Sequence, residues 1–199
     1  MGLLDEKVYR TGDVTLEALL VKKIAILGYG IQGRAQAANF RDGGFNIIIG
    51  GRPGKSFDQA KADGFTTLSY ADAAKQADVV CLLVPDYAQR GVAASLSAEL
   101  SGKTLVVAAG LTLFSKRLVP PKDCDVVMVA PSGPGSLVRS SFLSKKGMVA
   151  AFAVHQDVSG NAKKTALALC RALGFTQTGV FECRVADEAA CDVFGEQAV

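Results

Sequence analysis

The sequence predicts an α/β fold in which a doubly wound, mostly parallel sheet is covered by helices on both faces. Short apolar runs typical of strands alternate with longer segments of helical character. The strand-like runs are apolar on both sides of the pleat, as expected for strands buried between two layers of helices. The 199-residue chain is long enough for one such domain with a small addition.

The alternation follows an N-terminal extension, residues 1–20, which contains Tyr9 and a short amphipathic segment, Leu16–Leu20. We expect this extension to pack on the domain. Strands are predicted at Val21–Leu27, Asn46–Gly50, Asp78–Val84, Thr104–Ala108, Val126–Ala130, Met148–His155 and Thr178–Phe181. Helices are predicted at Gln32–Arg41, Tyr70–Gln76, Tyr87–Leu100 and Asn161–Leu173, and a further one begins after Asp187. Strands that alternate with helices in this way form a parallel sheet.

Composition argues against several classes of protein. Apolar residues make up 49% and charged residues 21%, as in globular rather than disordered chains. The net charge of +3, without a Lys/Arg run, gives no indication of nucleic acid binding. The apolar runs are too short for a bilayer and residues 1–20 lack a signal peptide's apolar core, so we expect no membrane partner. The five cysteines form no CxxC pair, which predicts reduced thiols in a cytoplasmic protein and places Cys81 in the core.

A glycine-rich turn, Gly28-Tyr29-Gly30-Ile31-Gln32-Gly33, joins the first predicted strand to the first predicted helix. Gly28 permits the tight turn, Gly30 lets the backbone approach a pyrophosphate, and Gly33 allows close packing of helix on sheet. Backbone N–H groups and the helix dipole then stabilise the phosphates. The spacing alone is a weak signal, but the motif requires a strand before it and a helix after it, and both are predicted here. We therefore predict a Rossmann-like dinucleotide site; the alternative is a glycine turn without a ligand.

The segment after the second predicted strand, Gly50–Ser56, indicates which dinucleotide binds. Sites for NAD place an acid roughly 20 residues after the glycines to bind the ribose hydroxyls. Here no acidic residue occurs between Gly50 and Asp58. In the same segment Arg52 and Lys55 supply positive charge, and Ser56 supplies a hydroxyl. A guanidinium binds phosphate bidentately. The sequence therefore predicts NADP(H) rather than NAD, and the alternative is a solvated basic loop.

Further loops are predicted to line the same crevice, because ligands bind at the carboxyl ends of the strands in such sheets. These loops contain Val84, Pro85, Asp86, Tyr87 and Gln89, then Ala108, Ala109 and Gly110, and then Pro131–Gly135. The proline and glycine content of the last segment suits a rigid loop beside a ligand, although a plain turn is the alternative.

A series of motifs across nearly the whole chain carries a resemblance to a known family. They are Gly28-Tyr29-Gly30, Gln32-Gly33, Ala35-Gln36-Ala37, Arg52–Ser56, Ala62-Asp63-Gly64-Phe65, Leu83–Asp86, Val119–Asp123, Met128–Pro131, Gly133-Pro134-Gly135, Leu137–Arg139, His155–Asp157 and Asp192…Phe194–Val199. In this order they resemble the N-terminal domain of ketol-acid reductoisomerase, the NADPH- and magnesium-dependent enzyme of branched-chain amino-acid biosynthesis. The resemblance implies that Arg52 and Ser56 hold the 2′-phosphate. It also implies that Gly135 and the Val84–Gln89 loop contact the cofactor.

The same resemblance implies that Asp192 and Glu196 are magnesium ligands. Their i,i+4 spacing places both on one helix face. Magnesium commonly uses one or two carboxylates and completes its shell with water and substrate. The alternative is two solvated acids early in a helix, where the dipole favours them.

Three positions depart from the family's pattern, and the first two of them lie at its reaction centre. Ala109 replaces the histidine of an Ala-His-Gly turn, Ser132 replaces the lysine of Pro-Lys-Gly-Pro-Gly, and Ser136 replaces the histidine that follows. Alanine transfers no proton, and serine supplies no cation to an anionic intermediate. The catalytic residues therefore stay unassigned.

These observations leave three functional hypotheses. The first, which we favour, is an NADPH-dependent oxidoreductase of a small 2-keto or acetohydroxy acid, or of a related carbonyl or imine compound, with isomerisation lost or weakened. The second is a non-catalytic NADP(H)-binding module or partner subunit, and the third is a fragment of an authentic reductoisomerase. We expect residues 1–184 to form the NADP-binding domain, and residues 185–199 to begin a helical C-terminal domain that is truncated in this chain. We also expect a homo-oligomer.

Overall fold

The computed structural model of the protein describes residues 7–197, with side chains to residue 195. Within this range one sheet contains nine strands: β1 (Val8–Tyr9), β2 (Lys23–Leu27), β3 (Asn46–Gly50), β4 (Thr66–Leu68), β5 (Val79–Leu82), β6 (Thr104–Val107), β7 (Asp125–Pro131), β8 (Ala150–Gln156) and β9 (Val180–Glu182). The helices in the same range are α1 (Ile31–Asp42), α2 (Lys55–Ala62), α3 (Tyr70–Gln76), α4 (Asp86–Ser95), α5 (Leu111–Phe114), α6 (Gly135–Leu143), α7 (Ala162–Ala172) and α8 (Val185–Gln197). Short 3-10 turns lie at Thr11–Asp13 and Phe175–Gln177.

The strands lie in the order β1-β9-β8-β7-β6-β5-β2-β3-β4. The six strands from β4 to β7 are parallel, β8 runs antiparallel to β7, and β9 is parallel to β8. The prediction of a mostly parallel, doubly wound sheet is therefore confirmed. The strand pattern of β8 was predicted correctly, but an apolar run does not reveal its direction.

Helices cover both faces of the sheet, as predicted. Strand β2 shows why: Ile24 and Ile26 pack into the core on one face, whereas Ala25 and Leu27 pack into the core on the other. Successive side chains of a strand point to opposite faces, so a strand between two helical layers must be apolar throughout.

Residues 7–20 of the N-terminal extension pack on the domain, as expected. Leu19 is fully buried, and β1 pairs antiparallel with β9 at the sheet edge. The Arg10 guanidinium donates a hydrogen bond to the Thr178 carbonyl at 2.7 Å. These contacts cover an edge strand whose backbone groups would otherwise be unpaired.

Several element boundaries differ from the predictions. Strand β2 begins at Lys23 because Val21 is 95% exposed, and α4 ends at Ser95 rather than at Leu100. Leu96 and Leu100 lie in the turn that follows α4, and both are buried. Their i,i+4 spacing is also that of a helix face, which is why the sequence predicted a longer helix. Helices α2, α5 and α6 and strands β1 and β4 were not predicted, because polar residues, glycines or short lengths obscured their periodicity.

The cysteines and the helices bear on two further expectations. All five cysteines are free, and Cys81 is buried in the core as predicted. Within residues 7–197, none of the helices combines the length and the apolar character needed to cross a membrane.

Candidate dinucleotide-binding site

A cleft of about 1080 Å³ lies at the carboxyl ends of β2, β3, β5, β6 and β7. Strand β3 pairs with one edge of β2, and β5 pairs with the other edge. The order in which strands are added to the sheet therefore reverses direction at β2. Ligands bind at such switch points in open α/β sheets. The cleft therefore lies where open α/β sheets bind their ligands.

The glycine turn forms the floor of the cleft. Gly28 has φ +100, and a Cβ added there would lie 2.8 Å from the Leu83 carbonyl oxygen. A Cβ at Gly33 would overlap the Gly28 carbonyl oxygen, whereas one at Gly30 would meet nothing within 4 Å. Two glycines thus serve close packing, and the third leaves open space for a ligand beside the backbone.

Helix α1 begins at Ile31, directly after Gly30. Gly30 is its N-cap and provides no side-chain cap. The first N–H groups of a helix lack intrahelical partners, and together with the dipole they attract an anion. The turn can therefore hold a phosphate group.

The basic segment predicted to select the dinucleotide lines the same cleft. Arg52, Lys55 and Ser56 are exposed, and Lys55 and Ser56 begin α2 after Gly54, which has φ +144. Within the described part of the chain, the Arg52 and Lys55 side chains have no ion pair or hydrogen bond. Their charges are thus available to a phosphate.

The loop after β5 and the start of α4 form the opposite wall and hold a partly buried hydrogen-bond chain. Gln89 is 5% exposed; its Nε2 donates to Asp86 Oδ1 at 3.0 Å, and its Oε1 accepts from Thr112 Oγ1 at 2.6 Å. Val84, Pro85 and Asp86 line the cleft with it. The Gln89 side chain therefore orients the Asp86 carboxylate, a role that the sequence did not indicate.

The two remaining predicted loops meet the cleft in part. Ala108 and Ala109 line it, as do Pro131, Gly133 and Pro134. Gln32 Nε2 donates to the Gly133 carbonyl at 3.0 Å and joins the last loop to the glycine turn. Exposed Ser132 lies outside the lining.

Three predicted glycines lie behind the wall of the cleft rather than on it. They are Gly33, Gly110 and Gly135. A Cβ at Gly135 would overlap the Ile31 carbonyl oxygen, so this glycine lets α6 approach the glycine turn. The Gly110 N–H donates to Glu188 Oε2 at 2.6 Å. Gly110 and Gly135 were expected to contact the cofactor, but both are buried outside the cleft lining, where they support the site.

Carboxylates from α8 close one end of the cleft. Glu188 and Asp192 line it beside Asp86. Burial, together with the nearby Asp192 charge, raises the pKa of both Glu188 and Asp86 above the usual carboxyl range. Glu188 was missed in the sequence, although it lies four residues before Asp192 and so on the same helix face.

The predicted magnesium pair is described only in part. Asp192 faces the cleft, and α8 continues through position 196, but the Glu196 side chain lies outside the described residues. Among the side chains to residue 195, no three histidine, cysteine or carboxylate groups are placed to hold a metal ion.

Comparison with known proteins agrees with this geometry. Residues 18–179 match the family model for the acetohydroxy acid isomeroreductase NADPH-binding domain. The chain is similar to an NADH-preferring ketol-acid reductoisomerase from an uncultured archean, with 38% identity and a TM-score of 0.94 over 97% of this chain. It spans 61% of the length of that relative.

More distant solved structures share the fold alone. A semialdehyde dehydrogenase NAD-binding protein from Cupriavidus necator is 18% identical with a TM-score of 0.74, and 90% of this chain and 72% of that chain are covered. A pyrroline-5-carboxylate reductase from Coxiella burnetii is 21% identical with a TM-score of 0.68, and 89% of this chain and 66% of that chain are covered.

Proposed function

Because this chain belongs to the acetohydroxy acid isomeroreductase family, we propose that it is an NADPH-dependent oxidoreductase. The substrate class is a small 2-keto or acetohydroxy acid, or a related carbonyl or imine compound, in the branched-chain amino-acid pathway. The observation that carries the proposal is the cleft, in which a turn open beside Gly30 faces unpaired cations on Arg52 and Lys55.

The residues around the cleft fit a dinucleotide phosphate. The space beside Gly30 suits the pyrophosphate, and Arg52, Lys55 and Ser56 suit the 2′-phosphate. The loops after β5 and β6 line the rest of the cleft, and Ala109 there would lie beside the nicotinamide end of a bound cofactor. A bound cofactor supplies the hydride, and the protein positions it and excludes water.

The choice of NADPH over NADH rests on this chain's own charges. The archaeal relative is described as NADH-preferring, so family membership alone leaves the choice open. Among the described residues, no acidic side chain lines the cleft beside β3, and the basic segment there has no internal ion pair or hydrogen bond. A carboxylate would repel a 2′-phosphate, whereas these cations attract it.

A magnesium site is part of the proposal. Asp192 faces the cleft, and Glu196 follows it one turn later in α8. Magnesium needs few protein carboxylates when a substrate completes its shell. We propose that this ion would bind substrate oxygens near Ala109. Isomerisation is weakened, because Ala109 in the cleft transfers no proton and Ser132, outside the cleft lining, supplies no cation.

A non-catalytic NADP(H)-binding module is the second candidate. The replacements at Ala109 and Ser132 favour it. Such a module would need the glycine turn and the basic segment, but none of the proton-transferring groups.

We also propose that the protein is cytoplasmic and forms a homo-oligomer. Light scattering after size-exclusion chromatography tests the oligomeric state.

Two measurements separate these possibilities. Calorimetry with NADPH and NADH should show binding with NADPH preferred; absence of binding to either would reject both candidates. Oxidation of NADPH should then be followed with pyruvate, acetolactate and a cyclic imine, with and without magnesium. Turnover with any of them supports the reductase, whereas tight binding without turnover supports the module.

A further inference from the structure

The C-terminal end of α2 is bonded to the glycine turn through one carboxylate, Asp63. Tyr29, inside the turn, donates its hydroxyl to Asp63 Oδ2 at 2.8 Å, and Gln59 Nε2 donates to Oδ1 at 2.8 Å. Arg34 of α1 forms an ion pair with the same carboxylate at 3.0 Å. Arg41 donates to the Asp63 carbonyl at 2.7 Å, so both parts of Asp63 face α1 and the turn.

The Tyr29–Asp63 hydrogen bond has a defined polarity. Tyr29 is 7% exposed, and burial together with Asp63 raises its pKa, so the hydroxyl stays protonated and donates. The Tyr29 hydrogen bond holds the pKa of Asp63 below its usual range, so Asp63 stays a carboxylate and accepts. The Tyr29 ring also packs edge-on against Phe65, with centroids 5.7 Å apart. The bond is therefore a stable link rather than a contact that titrates near neutral pH.

Helix α2 has few other anchors. Ala60 is its one buried residue, and Phe57 packs on Gly51. The helix is eight residues long, or about 12 Å at 1.5 Å per residue. Lys55 and Ser56 lie at one end and Asp63 caps the other. Movement of the Asp63 end would therefore pivot the helix and displace the phosphate-binding end.

We infer that Asp63 is a positioning residue for cofactor selectivity, because it sets the spacing between the 2′-phosphate-binding end of α2 and the pyrophosphate-binding turn. The inference rests on the proposed NADP(H) binding. NADPH spans both ends of this link, whereas NADH has no phosphate for the α2 end. Loss of this link should therefore weaken the binding of NADPH more than the binding of NADH.

The test is a double-mutant cycle on Tyr29→Phe and Asp63→Ala, with Kd values for NADPH and NADH from calorimetry. We expect Asp63→Ala to raise the NADPH Kd about tenfold, or about 1.4 kcal/mol, and the NADH Kd by less than about threefold. Tyr29→Phe should act in the same direction with a smaller effect. The double variant should lose little more than Asp63→Ala, since the two residues share one interaction.

Asp58→Ala is the matched control, because it removes the same charge from an exposed position of the same helix. Loss of a negative charge by itself should favour NADPH, so weakening confined to Asp63→Ala cannot arise from charge. Asp63→Asn keeps an acceptor for Tyr29 and should therefore retain part of the selectivity for NADPH. If the alanine variant does not fold, the Kd values of Asp63→Asn for the two cofactors still test the inference. Equal weakening of both cofactors, or additive effects in the cycle, would overturn the inference while leaving the proposed function intact. A wild-type protein that binds no dinucleotide would overturn the proposed function, and the inference with it.

Discussion

Replacing Arg52 by aspartate tests whether this side chain selects the cofactor. Arg52 is exposed on the wall of the cleft and has no ion pair or hydrogen bond within the described part of the chain. Its guanidinium thus has no internal partner to give up when a phosphate binds. The variant leaves the glycine turn untouched, so contacts to the pyrophosphate should persist.

The magnitude follows from the strength of a charge-assisted hydrogen bond. Such a bond contributes about 1.5–3 kcal/mol, and each 1.4 kcal/mol is about tenfold in affinity. Because Arg52 is exposed, solvent and salt screen the interaction, and we expect the lower end of that range. The NADPH Kd should rise roughly 10- to 30-fold, whereas the NADH Kd should change less than about fivefold, as for an exposed charge without a partner.

Calorimetric titrations with NADPH and NADH at two salt concentrations measure both effects. Lys164→Asp on α7 is the matched control, since it makes the same two-unit charge change at an exposed position outside the cleft. The loss of NADPH affinity in Arg52→Asp should shrink as salt increases. The same fold-loss for NADPH and NADH would refute the assignment of Arg52 to the 2′-phosphate.

Three further variants test the support of the site and the core. Gly135→Ala should lower stability by about 1–3 kcal/mol in denaturant titrations and weaken NADPH, because its Cβ would overlap the Ile31 carbonyl oxygen. Glu188→Gln keeps an acceptor for the Gly110 N–H and removes a charge that burial disfavours. Because the folded pKa of Glu188 is raised, its ionisation destabilises the fold as pH rises through that pKa; the variant should melt higher at neutral pH and converge with wild type in acid. Phe152→Ala should cost about 3–5 kcal/mol of unfolding free energy, because the ring is fully buried.

Each of these three predictions would be contradicted by a particular result. Gly91→Ala in α4 is the control for added volume, since its Cβ would meet nothing within 4 Å, and it should be neutral or stabilising. An unchanged Gly135→Ala protein would show that α6 does not need this close approach. A Glu188→Gln melting difference that grows in acid would contradict the raised pKa. A loss below about 1.5 kcal/mol for Phe152→Ala would mean that the surrounding core closes around the lost ring.

Much of the fold could be predicted because its signals are local. Asn46–Gly50 and Tyr70–Gln76 have the predicted bounds, since apolar run length and helical periodicity are properties of neighbouring residues. Helix α2 was missed because its polar sequence buries only Ala60 and has almost no apolar face. The antiparallel direction of β8 depends on how the chain crosses the sheet, which no residue of that strand encodes by itself.

The same distinction applies to the site. The glycine spacing and the basic residues after β3 identified the floor and one wall of the cleft, because each motif is short and continuous. The roles of Gln89 and Glu188 could not be predicted, since each depends on a partner 20 or more residues away in the chain: Thr112 for the first, Gly110 for the second. Their side-chain directions are set by those partners.

The sequence by itself determined the α/β fold class, the family, and the turn and basic segment that favour NADP(H). These follow from backbone preferences, periodicity and charge, which act over a few residues at a time. Only the tertiary structure decided that Gly135 packs behind the wall, that Gln89 orients Asp86, and that Asp63 joins α2 to the glycine turn. Hydrogen bonds and close packing act over a few ångströms in space, and folding decides which distant residues come within that range.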